Sequence, residues 1–199
     1  MRRRFFVDQF DGDRAFVRGE TAEHLGRVLR AEPGQLYELS DGQAIWLGRV
    51  EEVHRDAIRF ALVEAIAAPQ RALQIRLLLS IIKFDHFEWC LEKATELGVS
   101  EIVPLAAARS EKALIAASEK RSQRWKKILI ESAQQSRRLC PPVLAAVERP
   151  VTALIGTLSP SIRIFLSESP VAPSIRSRLS ALIPLQNPVA LAIGPEGGW

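Results

Sequence analysis

Cysteine is scarce: only Cys90 and Cys140 occur among 199 residues, and neither lies in a CxxC or a Cys/His spacing. No disulfide framework and no zinc or other metal site is therefore expected, and a reducing cytoplasm fits as the compartment. Long apolar runs are missing too, since none approaches the ~18 residues of a membrane span. The start MRRRFFVDQF carries positive charge without a following apolar stretch of signal-peptide length, so neither targeting nor insertion is expected. Internal repeats and low-complexity tracts are absent. So are GxGxxG and a P-loop ending in GK[ST], which argues against nicotinamide and ATP chemistry.

What is present is ordinary globular material. With 47% apolar and 25% charged residues the chain can bury a core, and its length suits one domain or two small ones. The net charge of +4 is small but uneven. Residues 1 to 70 hold 10 Lys+Arg against 12 Asp+Glu, residues 71 to 142 hold 13 against 8, and the remainder 4 against 3. A basic middle third hints at a polyanionic partner.

The pattern along the chain changes once. Up to about residue 65, short strands alternate with turns: Arg4 to Val7, Ala15 to Val17, Gln35 to Leu39, Ile45 to Val53 and Ala57 to Val63. One helix interrupts them, with Thr21 as its cap, Leu25, Val28 and Leu29 on one face, and Pro33-Gly34 after it. A small, mostly β barrel with one helix fits, and Ala67 to Gln70 reads as a linker. From residue 73, strands alternate with helices, the mark of a parallel α/β sheet. LQIRLLLS is its first strand. Asp85 and Glu88 have capping-box spacing for a helix through Leu97, with Gly98 as C-cap. EIVPL is the second strand. A long helix from about Ser118 to Arg137 is stopped by Pro141-Pro142, RIFLS (163 to 167) and VALAI (189 to 193) are further strands, and a helix covers about Ser174 to Leu182. The long helix carries Lys120, Arg124 and Lys127 on one face and Trp125, Ile128, Leu129 and Ser132 on the other.

The segment Gly194-Pro195-Glu196-Gly197-Gly198 directly follows the apolar strand VALAI. In open α/β sheets ligands bind outside the carboxyl ends of strands, where glycine lets backbone approach a ligand closely. Taken alone the five residues read more simply as a glycine-rich turn. They are accompanied by HLGRVLRAEPGQ (24 to 35), FEWCLEKATELGVSEIVPL (87 to 105), Arg109-Ser110 and ESAQQSRRLCPP (131 to 142). In that order and spacing the chain resembles the ribosomal RNA small-subunit methyltransferase E family of the SPOUT superfamily.

The resemblance implies an α/β protein in two parts: a PUA-like RNA-binding β-barrel over 1–68 and a SPOUT-type, trefoil-knotted methyltransferase domain over 72–199. It implies S-adenosylmethionine as cofactor, held by Leu166, Ser167, Glu168, Ile193, Gly194, Pro195, Glu196, Gly197 and Gly198. The implied reaction methylates N3 of one uridine in 16S ribosomal RNA of the 30S subunit. Because the cofactor's sulfonium is the electrophile, the protein supplies orientation rather than a covalent nucleophile. Arg109 and Arg138 are the candidates for stabilising the base as its N3 proton leaves. Arg3, Arg27, Arg30, Arg124, Lys127 and Gln135 are the candidates for RNA contact, Gln135 and Arg138 matching the family's Q-x-x-R. Gly197 is the glycine expected to need space, or a left-handed backbone, at the cofactor. His24 fits a structural role.

Family members continue for several tens of residues past this loop, with a segment that completes the knot and forms most of a homodimer contact. The sequence ending at Trp199 is therefore expected to be a fragment; were it the whole polypeptide, it would be expected to bind S-adenosylmethionine weakly or not at all and to methylate nothing, with cofactor affinity and dimerisation returning when the missing segment is restored. Two other readings stay open: a non-catalytic RNA-binding protein with a degenerate methyltransferase domain, and a SPOUT enzyme for another RNA.

Overall fold

The computed structural model of the chain describes residues 3–68, 73–157, 162–180 and 188–199. The chain divides into two compact units, Met1–Gln70 with Ala133–Pro141, and Arg71–Ser132 with Pro142–Trp199.

The first unit holds a six-stranded sheet in the order β1-β4-β5-β6-β3-β2, built from β1 (Arg4–Phe6), β2 (Phe10–Asp11), β3 (Arg14–Arg18), β4 (Leu36–Ser40), β5 (Ile45–Val53) and β6 (Ala57–Ile66). All pairings are antiparallel except β1 with β4. Alternation gives the sheet a buried face: Ala15 and Val17 of β3 point into a core with Phe5, Leu39, Ile58 and Phe60, while Arg14 and Arg18 stay out. Helix α1 (Gly19–Glu23) follows β3 and runs into a π-helical turn, His24–Val28. Here the structure departs from expectation. Thr21 lies inside α1, whose N-cap is Arg18, and makes no capping bond. Leu25 is buried, but Val28 is 64% exposed. The amide of Leu29 bonds to the carbonyl of His24, five residues back, and this wider turn carries Val28 off the face that a 3.6-residue period assigns to it.

An ionic cluster lies within the same unit. Arg4 donates through Nε and Nη2 to Glu38 Oε2 at 3.1 and 2.8 Å, and Arg137 also bonds the Glu38 carboxylate. Arg4 further donates to the Arg137 carbonyl, and Ser40 Oγ to the Leu139 carbonyl at 2.6 Å. Arg137 has φ +55°.

The second unit is a five-stranded sheet, order β10-β11-β7-β8-β9, with every neighbouring pair parallel. Its strands are β7 (Ile75–Ser80), β8 (Glu101–Leu105), β9 (Val143–Leu144), β10 (Ile162–Phe165) and β11 (Val189–Ile193). The run Leu77 to Ser80 is buried throughout, as befits a strand covered on both faces. Helix α2 (Phe84–Glu96) buries Phe87, Leu91 and Ala94. Its capping box does not form: α2 has no side-chain cap, and Glu88 instead accepts from Arg121 Nη1 at 3.2 Å and Arg124 Nε at 2.8 Å. Gly98 ends the helix region at φ +97°, with its amide bonded to the Thr95 carbonyl, the left-handed stop that glycine favours.

Helix α3 runs from Lys112 to Gln135, starting before the expected Ser118. The Ser118 hydroxyl donates to the Ile115 carbonyl, so it bonds back within a helix already under way instead of capping one. The helix stops short of Arg137 because that residue is left-handed. Trp125 and Leu129 are buried, and Trp125 packs 4.6 Å from Phe87 and 5.9 Å from Phe84 between ring centroids. Two elements of this unit were not expected: the short strand β9 and helix α4 (Pro150–Ile155), which opens on a proline. Helix α5 spans Ile175–Ser180; the expected continuation to Leu182 and the linker positions Pro69 and Gln70 lie outside the described residues. Among the described residues no helix is long and apolar enough to cross a membrane.

Candidate functional site

The parallel sheet reverses its strand order beside β7. From β7 the chain adds β8 and then β9 on one side, whereas β11 and β10 lie on the other. Such a reversal opens a crevice at the carboxyl ends of the central strands, where loops diverge in opposite directions. Three of the loops that leave that edge concern the site: the one after β10 beginning at Leu166, the one after β11 from Gly194 to Gly198, and the one after β8 that carries Arg109.

Those loops touch. Arg109 Nη1 donates to the Gly197 carbonyl. Gly198 has φ +78°, and a Cβ there would stand 3.3 Å from Arg109 Nη1. At Gly197 a Cβ would meet Arg109 carbons only at an ordinary 3.7 Å, and its backbone is not left-handed. The glycine that this loop requires for conformation is therefore Gly198, not Gly197. The Gly198 amide closes a turn on the Pro195 carbonyl at 2.8 Å. Pro195 is buried, while Glu196 is exposed and lies 3.5 Å from His86 Nδ1, at the start of α2.

The neighbouring loop is tied in as well. Pairing of β10 with β11 ends at Phe165 opposite Ala192, and the Leu166 amide adds one further bond to the Ala192 carbonyl at 3.0 Å. Trp199 then donates from Nε1 to the Leu166 carbonyl at 3.1 Å and stacks on Phe165 with ring centroids 4.4 Å apart. Ser167 and Glu168 are exposed beyond this point. Two buried hydroxyls at the same edge of the sheet, Ser80 Oγ ending β7 and Ser110 Oγ after Arg109, have no hydrogen-bond partner among the described residues.

The structure thus brings Arg109, Leu166 and the 193 to 198 segment together. It also assigns contacts there to Phe165, His86 and Trp199, which sequence reasoning missed. Trp199 was findable, since it directly follows the loop. Phe165 and His86 carry no local signal, because only the strand order makes them neighbours of that loop.

The other candidate residues are dispersed. Arg124 and Lys127 are exposed on α3, and Arg124 is engaged by Glu88. Arg138 and Gln135 belong to the first unit, so the two candidates for the base, Arg109 and Arg138, fall in different units. Burial pushes the Arg138 guanidinium below its ordinary pKa. Arg3, Arg27 and Arg30 are exposed, with Arg27 in an i,i+4 pair with Glu23. Among the described residues no group of three or more His, Cys, Asp or Glu gathers to hold a metal. A cavity of about 360 Å³ lies at the opposite, amino-terminal edge of the parallel sheet, beside Arg76, Ser100 and Glu101. Arg76 there pairs with Glu101 and donates to the Gly156 carbonyl, so its charge is engaged in holding structure.

The family model described as an RNA methyltransferase domain matches residues 69–199. The ribosomal RNA small subunit methyltransferase E of Synechocystis is 28% identical over 88% of this chain and 57% of its own length, so the chain spans less than two thirds of that relative. A Legionella pneumophila methyltransferase solved with the bound cofactor SAM superposes with a TM-score of 0.85 at 25% identity, over 100% of this chain and 82% of that one. The fold is shared with ribosomal RNA small subunit methyltransferase E of Neisseria gonorrhoeae bound to S-adenosyl methionine, TM-score 0.87 at 24% identity, over 100% and 81%. With well over half of its residues under that family model, the parallel sheet and its glycine loop included, the chain belongs to the RNA methyltransferase domain family, alongside relatives named ribosomal RNA small subunit methyltransferase E.

Proposed function

We propose that the chain carries out S-adenosylmethionine-dependent methylation of N3 of a uridine in 16S ribosomal RNA of the 30S subunit, in the cytoplasm and as a homodimer. The strongest support is that the loops after β10 and β11 are fastened side by side at the carboxyl edge of a parallel sheet, with Arg109 bonded to the Gly197 carbonyl. The residues there suit an adenosyl cofactor. Gly194, Gly197 and Gly198 present backbone without side chains, and unpartnered buried hydroxyls stand at the same edge. The Legionella relative, solved with SAM bound, supports the choice of cofactor. On this reading residues 1–68 form a PUA-like RNA-binding barrel, and 72–199 belong to a SPOUT domain of the knotted type.

When bound, the cofactor supplies an electrophilic methyl group. What remains for the protein is to present an unpaired uridine with its N3 edge aligned, and to stabilise the negative charge on the base as the proton departs. Arg109 serves this in two ways: its guanidinium fixes the 194 to 198 loop through Gly197, and its positive charge stands at the mouth of the site. Arg138, a partly buried cation, and Gln135 contact the RNA, with Arg3, Arg27, Arg30, Arg124 and Lys127 on phosphates.

Isothermal titration with S-adenosylmethionine tests the cofactor. Saturable 1:1 heat that disappears on replacing Gly198 with Val is the expected outcome, since a branched residue is strained at φ +78° and crowds Arg109. No binding by the chain, or unchanged affinity in a folded Gly198→Val variant, would count against the reading.

A further inference from the structure

We infer that Trp199 is a positioning residue of the cofactor site, a strut whose indole sets the spacing between the loop after β10 and the loop after β11. The inference rests on the methyltransferase reading and extends it to a residue outside the cofactor-contacting set.

Three contacts define the strut. On one side Nε1 donates to the Leu166 carbonyl at 3.1 Å, and the ring stacks on Phe165 at 4.4 Å and 33°. On the other, the indole lies so close to the backbone of Gly194 that a Cβ there would be 2.9 Å from Nε1 and 3.0 Å from Cε2, nearer than any side chain tolerates. A side chain at Gly194 would therefore displace the indole from this contact. Phe165 is 58% exposed at the end of an edge strand, so the indole also covers apolar surface that its own sheet leaves open.

The location makes the contact consequential. Ladder hydrogen bonding between β10 and β11 gives out after the Leu166 amide, and from there each loop must be held by side chains. Arg109 holds the 194 to 198 segment from the β8 side through Gly197. Trp199 holds it from the β10 side. A loop pinned on both flanks keeps its carbonyls and amides at fixed separation before a ligand arrives, and affinity rises to the extent that ordering costs are already met. Loss of the strut should therefore lower cofactor affinity through the spacing of the two loops.

The test compares wild type, Trp199→Phe, Trp199→Ala, Gly194→Ala and the Gly194→Ala/Trp199→Ala double variant. Without cofactor, the Trp199 indole N–H should exchange with solvent more slowly than that of Trp89, which is 62% exposed, and should lose that protection in Gly194→Ala. In titrations with S-adenosylmethionine, Trp199→Ala should weaken binding about tenfold, the effect of one hydrogen bond and one ring contact together. Trp199→Phe, which keeps the stack and loses only the donor, should recover part of it. The double variant should bind no worse than the weaker single one, since both changes break the same contact. An unprotected indole N–H, full affinity in folded Trp199→Ala, or additive losses in the double variant would each overturn the strut while leaving the cofactor reading intact. Failure of the wild-type chain to bind would overturn that reading and the strut with it.

Discussion

Glu38 lies between two guanidinium groups, and the three residues differ in how much water they keep. The Arg4 and Glu38 side chains are 5% and 4% exposed, whereas that of Arg137 is 40% exposed. Removing the carboxylate leaves Arg4 buried without its counter-ion, and an unpaired buried charge costs far more than an exposed pair gains. Glu38→Ala should accordingly destabilise the fold by about 3 kcal/mol, at the lower end for a buried pair because Arg137 can rehydrate. Arg137→Ala should cost only about 1 kcal/mol, since Arg4 and Glu38 still satisfy each other. Urea midpoints measure both, and equal losses from the two substitutions would show that the burial asymmetry has no energetic weight. None of this was legible in the sequence. Arg4, Glu38 and Arg137 are separated by 34 and 99 positions, and no local period links residues so far apart.

At the scale of elements, helix α2 shows how tertiary charge overrides a local signal. Asp85 and Glu88 have the spacing of an N-terminal cap, yet Glu88 turns to Arg121 and Arg124 on α3, and Arg121 also lies over the Phe84 ring at 4.8 Å. Two charge-assisted bonds outweigh one capping bond. The apolar faces were legible because burial follows the helical period: Phe87, Leu91, Trp125 and Leu129 are core. Helix ends were less so, because the Ser118 hydroxyl and the left-handed Arg137 answer to interactions that a propensity cannot register. The same contact of Glu88 bears on function. It neutralises part of the basic face of α3, where residues 120 to 135 hold five Lys+Arg against Glu131 alone. If that face meets phosphates, Glu88→Gln should tighten RNA binding at all sequences and steepen its salt dependence by roughly 0.7 to 0.9 per additional phosphate engaged. An unchanged slope of log affinity against log salt would show α3 to be merely a solvated face.

At the scale of the whole molecule, the parallel sheet and its glycine loop were legible, because buried parallel strands read as apolar runs and the loop directly follows one. The membership of residues 133–141 in the first unit was not, because it depends on pairings between residues about a hundred positions apart. Candidate RNA-contacting residues consequently occur on both units, Arg3, Arg27, Arg30, Gln135 and Arg138 on the first and Arg124 and Lys127 on the second. A short oligonucleotide carrying the target uridine presents few phosphates, and it leaves most of these cations without one. Every phosphate that goes unbound also means fewer counterions released, so binding to a short strand should be both weaker and less salt-dependent. A folded ribosomal subunit offers phosphates in a fixed arrangement, and RNA recognised by shape rather than by sequence needs that arrangement intact. On the proposed function, an assembled or partly assembled 30S subunit, taken from cells that lack this methyl group, should therefore accept methyl groups from S-adenosylmethionine at N3 of one uridine, while a free oligonucleotide of the same sequence accepts few or none. The measurement is the initial rate of transfer of labelled methyl groups to each substrate at equal uridine concentration, followed by mapping of the labelled base. Equal rates on the two substrates would mean that the dispersed cations do not read RNA shape, and would confine recognition to the loop-lined edge of the parallel sheet.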